Sequence, residues 1–297
     1  MFASAYLAKL ERLHLLARRP FPGQNRADRR SRKIGSSLEF ADYRNYSPGD
    51  DLRGIDWNIY GRLDKLFLKQ FEEEEDLHVN LLIDTSASMR WTPAGGPARE
   101  SKLDVARRIA GTLAYIGLAG LDRVNVHYFS EKLGRDLGTG RGKSHFHRLL
   151  QFLDNVPADA GQTNLAASLR TFGRRQKRRG LVLILSDFFD PAGYEEALNF
   201  LLYQRFELQL IQLLDPAELN PRLLGDIRLT DEETGQEYDV TVNESLARGY
   251  EREIRAFIEG LEQFCRRRHI GFRRAVTDLA TDDWILRLVR DGGGLVR

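Results

Sequence analysis

The chain has 297 residues, 42% hydrophobic and 30% charged, with a formal net charge of +2 from 45 basic and 43 acidic side chains. That length holds one large domain or two ordinary ones, and the near-neutral balance gives no global case for binding nucleic acid or a membrane surface. The single cysteine, Cys265, excludes an intramolecular disulfide and a cysteine-held zinc, which fits a reducing compartment.

Residues 4–18 carry Tyr6, Leu7, Leu10, Leu13 and Leu16 at helical spacing, closed by Pro20 and Pro22. Met1 to Arg19 lacks the unbroken apolar stretch and cleavage site of a signal peptide, and the longest apolar runs are strand-sized. A cytoplasmic protein without a membrane span is expected. The basic stretch Arg26, Arg29, Arg30, Arg32 and Lys33 reads as a solvated, mobile linker, with an acidic partner or a nucleic-acid backbone as the alternative. These features define a first segment, residues 1–35.

Residues 36–76 form a second segment. Aromatics (Phe40, Tyr43, Tyr46, Trp57, Tyr60, Phe67, Phe71) alternate with Arg44, Asp50, Asp51, Arg53, Asp56 and Arg62 around the turn signal Pro48-Gly49-Asp50-Asp51. Asp56-Trp57 with Arg62 is expected to make a buried aromatic and ion-pair cluster that ties this segment to the α/β domain. Partner binding by Arg44, Arg53 or Asp56 is the alternative. Lys65 to Phe71 reads as a strand, and the acidic run Glu72 to Asp76 as a solvated junction.

From residue 77 to 297 strands and helices alternate. Strands are expected at 77–83, 124–129, 133–137, 181–185, 206–214 and 271–276. Helices are expected at 101–119, 144–153, 164–172, 194–203, 244–268 and 282–290. A β-hairpin is expected at 226–229 and 237–242 around Asp231-Glu232-Glu233-Thr234-Gly235. Repeated βα units imply an α/β, three-layer, Rossmann-type fold with a mainly parallel sheet. Ligands then bind beyond the carboxyl ends of its strands.

Asp84-Thr85-Ser86-Ala87-Ser88 stands at such an end, directly after the apolar run Leu77 to Ile83. A carboxylate and two hydroxyls at alternate positions in one loop offer hard oxygen donors of low total charge, which suit Mg²⁺. A D-x-S-x-S string arises by chance in roughly one chain in ten or twenty of this length, so further donors are needed. Thr163, in the Gly161-Gln162-Thr163-Asn164 helix opening, and Asp187, after the apolar run Leu181 to Leu185, supply them. The competing reading has Asp84 and Thr163 capping helices and Ser86 and Ser88 shaping a turn.

The set Asp84, Ser86, Ser88, Thr163 and Asp187 resembles the metal-ion-dependent adhesion site of von Willebrand factor A domains. The resemblance implies that Ser86, Ser88 and Thr163 contact a divalent cation (Mg²⁺, with Mn²⁺ or Ca²⁺ as variants). It implies that Asp84 and Asp187 act largely through water. A partner's Asp or Glu would complete the coordination.

Leu38-Glu39-Phe40, Arg44 to Asp51, Arg53, Ile55-Asp56-Trp57 and Arg62, followed by Asp84 to Met89, resemble a second signature. It is that of the bacterial family known as domain of unknown function fifty-eight. That resemblance spans roughly residues 30 to 290. It implies a von Willebrand A-like domain with an N-terminal extension and an inserted hairpin. It also implies a working partnership with a MoxR-type AAA+ ATPase in protein-complex maturation or stress response. Many members carry transmembrane helices before the signature, and none is expected here.

Other signals are discounted. Gly138 to Ser144 falls one residue short of a phosphate-binding loop, with Leu137 where the first glycine belongs. His145 and His147 lie two apart on a helix, the wrong spacing for paired ligands. Cys265 reads as packed, and Arg174 to Arg179 as a solvated turn after a helix, with an acidic docking site as the alternative. Asp84 as a phosphoryl acceptor would want a second Asp where Ser86 stands.

The expectation is a non-enzymatic, metal-dependent protein-interaction module. The alternatives are a Mg²⁺-dependent hydrolase or phosphotransferase using Asp84 and Asp187, for which no general base is legible, and nucleic-acid binding through the basic segments.

Overall fold

The computed structural model describes residues 31–33, 39–73, 77–93, 100–156, 161–221, 225–231, 235–278 and 284. The helix expected at 4–18, the tip of the hairpin and all but Trp284 of the helix expected at 282–290 lie outside these residues. The chain falls into two units that divide between residues 76 and 77.

The smaller unit is a three-stranded antiparallel sheet in the order β1-β3-β2: β1 Ser31–Lys33, β2 Glu39–Asn45 and β3 Phe67–Glu73. The described end of the basic stretch is thus a strand and not a mobile linker. Register sets Arg32 opposite Glu72 and Ser31 opposite Glu73. The start of the acidic run is strand as well. Helix α1, Trp57–Leu63, is capped by Asp56, whose carboxylate accepts the Asn58 and Ile59 amides and the Tyr43 hydroxyl, the last at 3.0 Å. The expected buried Asp56-Trp57-Arg62 cluster is not formed. Asp56 is buried by its capping role, while Trp57 is 63% exposed and Arg62 is exposed.

The larger unit is built on a six-stranded sheet. Its strands are β4 His78–Asp84, β5 Arg123–Phe129, β6 Leu133–Asp136, β7 Leu181–Ser186, β8 Glu207–Leu214 and β11 Gly271–Val276. Their order is β11-β8-β7-β4-β5-β6; all neighbours pair in parallel except β6, which turns back antiparallel on β5. β4 and β7 are buried on both faces, which is why their sequences are nearly unbroken apolar runs.

Helices α3 Lys102–Ala119 and α4 Gly142–Asp154 cover one face, with Ile109, Leu113, Leu149 and Leu153 against Leu81, Ile83 and Leu183. Three helices cover the other: α5 Leu165–Arg175, α6 Glu195–Tyr203 and α8 Glu244–Arg267. Leu169, Phe172, Leu198 and Leu261 pack there on Leu82, Val182 and Ile184. Each fully buried Leu or Ile contributes about 1.5–3 kcal/mol. The result is a Rossmann-like three-layer α/β fold. Two short helices, α2 Ala87–Arg90 and α7 Pro216–Leu219, follow β4 and β8. An antiparallel ribbon, β9 Gly225–Thr230 with β10 Glu237–Val242, precedes α8.

The chain runs from β4 to β5 on one side, then crosses back to β7 on the other. The carboxyl ends of β4 and β7 are therefore a topological switch point, where open α/β sheets bind ligands.

Candidate metal centre

Asp84 is the last residue of β4 and is fully buried. One carboxylate oxygen accepts the Ser86 amide at 2.9 Å, and the other accepts the Ser186 hydroxyl at 2.6 Å. Burial, reinforced by the nearby charge of Asp187, pushes the Asp84 carboxyl up to about 7, against the pull of Ser186 and Ser86. Ser86 is the N-terminal cap of α2 but makes no side-chain capping bond. Its hydroxyl instead meets that of Ser88 at 3.1 Å. Thr85 faces the other way, donating its hydroxyl to Phe129 O at 3.0 Å and so tying the loop to the end of β5.

Asp187 follows β7 and is also fully buried. One of its oxygens accepts the Phe189 amide at 3.1 Å, and the other accepts the Lys102 ammonium at 2.8 Å. The turn is sharp. Phe188 adopts φ +64°, a left-handed conformation costly for a bulky residue, and its amide is held by the Ser186 hydroxyl at 2.9 Å.

Thr163 is buried and lies just before Asn164. Asn164, not Thr163, caps α5: its side chain accepts the Ala167 amide at 2.8 Å, and its own amide bonds Ser130 O, just past β5. Asp190 secures the same helix start from the β7 side, accepting the Leu165 amide at 2.7 Å.

The structure thus links Asp84, Ser86 and Ser88 directly, and sets Asp187, just past the neighbouring strand, within electrostatic reach of Asp84. It carries Thr163 to the same carboxyl edge of the sheet. Two adjacent hydroxyls beside two buried carboxylates, one raised by the other, form a hard-oxygen donor set that fits a divalent cation. Among the described residues, no cluster of three or more His, Cys, Asp or Glu competes as a metal site.

Two parts of the site were not read from the sequence. Lys102 is fully buried, and its ammonium bonds both Asp187 and Glu218 of α7. The pattern Ser101-Lys102-Leu103-Asp104 held a signal. Ser101 and Asp104 form a capping box, and a lysine inside it opposes the helix dipole.

The discounted motifs have structural roles. His145 is buried, its ring filling the space a Cβ on Gly140 would take. Cys265 is buried in the core, and burial pushes its thiol up to about 12, so it is no nucleophile. Arg174, Arg175 and Lys177 to Arg179 are exposed around the end of α5. Among the described residues no helix is long and apolar enough to cross a membrane.

The chain is similar to uncharacterised protein Rv1480 of Mycobacterium tuberculosis, at 27% identity over 286 residues, covering 95% of this chain and 87% of that protein. Uncharacterised protein MAV169 of Mycobacterium avium is 29% identical over 152 residues, covering 50% of this chain and 87% of that one. Among solved structures, the conserved hypothetical protein BatB from Bacteroides thetaiotaomicron aligns with a TM-score of 0.42 at 13% identity. That alignment covers 73% of this chain and 98% of that one. An aerotolerance-related membrane protein from Bacteroides fragilis aligns with a TM-score of 0.40 at 14% identity, covering 72% and 99%. The family described as "Protein of unknown function DUF58" matches residues 42–260, most of the chain and the whole of the candidate centre, and the chain belongs to that family.

Proposed function

We propose that the protein is a non-enzymatic, metal-dependent protein-interaction module of the von Willebrand A type. It would act in the cytoplasm with a MoxR-type AAA+ ATPase in protein-complex maturation or stress response. The observation that carries this reading is the pairing of the Ser86 and Ser88 hydroxyls beside Asp84, across the switch point from Asp187. Ser86, Ser88 and Thr163 would hold Mg²⁺ (or Mn²⁺ or Ca²⁺) directly, and Asp84 and Asp187 would hold it through water. The bound cation supplies a Lewis-acidic position for an Asp or Glu of the client.

The protein's own part is orientation. The Ser86 amide and the Ser186 hydroxyl fix the Asp84 carboxylate, and the Phe189 amide fixes that of Asp187. Both carboxylates are anchored in the interior, Ser86 and Thr163 are buried with them, and Ser88, half-buried, is the donor nearest solvent. The partnership with the ATPase rests on the family resemblance.

A hydrolase or phosphotransferase draws support from Asp84, whose near-neutral carboxyl has the value of a general base. Asp84 is fully buried with both oxygens already engaged, which disfavours proton exchange with a substrate.

Capture of the ATPase or a client by the full chain is expected in Mg²⁺ and not in chelator. Ser86→Ala and Thr163→Ala should each reduce capture at least about tenfold while the melting temperature holds within a few degrees. Undiminished capture in chelator overturns the proposal, and metal-dependent phosphoester turnover lost in Asp187→Ala would establish the enzyme instead.

A further inference from the structure

Lys102 is an improbable residue for its position. It is the first residue of α3, where the helix dipole repels positive charge, and it has no solvent exposure. An ammonium in such a place costs several kcal/mol unless it is fully paired. The pairing is complete. Nζ donates to Asp187 Oδ2 at 2.8 Å and to Glu218 Oε1, and it lies 5.4 Å from the centre of the Phe189 ring. Burial works against the charged form, yet the two carboxylates outweigh it and hold the lysine pKa above its ordinary value.

Glu218 is itself fixed. Its other oxygen accepts the Asp215 amide at 2.7 Å, closing the capping box of α7, and its backbone carbonyl accepts the Tyr250 hydroxyl of α8 at 2.9 Å. Lys102 therefore bridges the β7 loop to the segment after β8, with one end of the bridge on a proposed metal-site carboxylate.

We propose that Lys102 is a built-in counter-cation of the metal centre: it occupies Asp187 when no metal is bound, competes with a divalent cation for that carboxylate, and is restrained in doing so by Glu218. The inference rests on the metal-binding reading above. Its physical content is a charge balance. Lys102 is one cation between two carboxylates, Asp187 and Glu218, so the pair keeps an excess of negative charge that a divalent cation can neutralise. Without the lysine the same interior is more negative, so it attracts a divalent ion more strongly and tolerates its loss less well. Without the Glu218 charge, Asp187 becomes the sole carboxylate of the lysine, which then holds it harder against a metal. Removing either half of one ion pair thus shifts metal affinity in opposite directions. A merely structural role would move both variants the same way.

The test is a calorimetric Mn²⁺ titration of the full chain, as parent, Lys102→Met and Glu218→Gln, paired with thermal melts in Mg²⁺ and in chelator. Lys102→Met should bind Mn²⁺ about tenfold more tightly than the parent and show a larger rise in melting temperature on adding Mg²⁺. Glu218→Gln should bind several-fold more weakly. If Lys102→Met is unfolded in chelator and recovered by Mg²⁺, that supports the proposal; if it is unfolded in both, the direction of the Glu218→Gln shift decides. Unchanged or weaker binding by folded Lys102→Met overturns the proposal, as does tighter binding by Glu218→Gln. Binding by Lys102→Met but not by the parent upholds the role of the lysine and refutes the parent protein's metal dependence. No binding by any of the three refutes both.

Discussion

Asp84 and His127 are buried on the adjacent strands β4 and β5, and they respond to pH in opposite senses. Asp84 titrates near 7 in the fold against 3.8 in the unfolded chain, so between these values the folded protein holds a proton that the unfolded chain releases. Stability from this group is full below about pH 4 and is lost as pH rises towards 7. His127 is the reverse. Burial drives its imidazole down to about 4 from 6.5, against the pull of Asp136, whose carboxylate is 3.9 Å away. Neither ring nitrogen makes a hydrogen bond, so stability from this group is lost as pH falls from about 6.5 to 4.

In chelator the two slopes largely cancel. Asp84→Asn should leave a protein that gains stability as pH rises across that window, and His127→Asn one that loses it. Each should differ from the parent by of order 3 kcal/mol in urea denaturation between pH 4 and 7. Parallel profiles for parent and variants would contradict this assignment. Saturating Mg²⁺ should flatten the Asp84 contribution, because an ionised carboxylate is then favoured.

The strands that frame the centre depend on tight backbone approach. Gly180 leads into β7, and a Cβ there would lie 2.2 Å from the carbonyl oxygen of His78, the first residue of β4. That carbonyl is backbone and cannot swing aside. Gly180→Ala is expected to cost roughly 2 kcal/mol or more, because relieving the overlap parts β4 from β7. A melting temperature within a degree of the parent would show that the strands yield more easily than this spacing implies. Gly61 and Gly249, inside helices with open space around them, serve as controls at which Ala should stabilise by up to about 1 kcal/mol.

The sequence reached the central sheet because burial on both faces writes itself as largely apolar runs in β4, β5, β7 and β8; these four and the less buried edge strand β11 lie within one or two residues of their expected bounds. The loops carrying Asp84, Ser86, Ser88 and Asp187 were legible for the same reason, being the polar residues at which those runs stop. What escaped was tertiary. The capping box marks Lys102 as oddly placed, but its partner Glu218 is 116 residues away, and α7 is too short to show a periodicity. Trp57 was misassigned because residue type was taken as burial, whereas its place as the first residue of α1 turns it outward. Strand β1 was hidden because its three residues, Ser31 to Lys33, sit in a basic run with no apolar alternation.

Across the whole molecule, the ribbon β9–β10 stands apart from this plan. Every residue in it is exposed or half-buried, and its six facing pairs run from Gly225 with Val242 to Thr230 with Glu237. Among the described residues none of its side chains joins a core cluster, and two strands on their own are marginal in water. Dissolved in deuterium oxide, the ribbon amides should exchange at free energies near zero, while those of β4 and β7 wait for global opening. Equal protection across both regions would mean that something covers the ribbon in solution. Ribbon amides that slow only when a partner is added would mark this arm, with the exposed side chains of Leu229 and Tyr238, as a surface that is completed from outside.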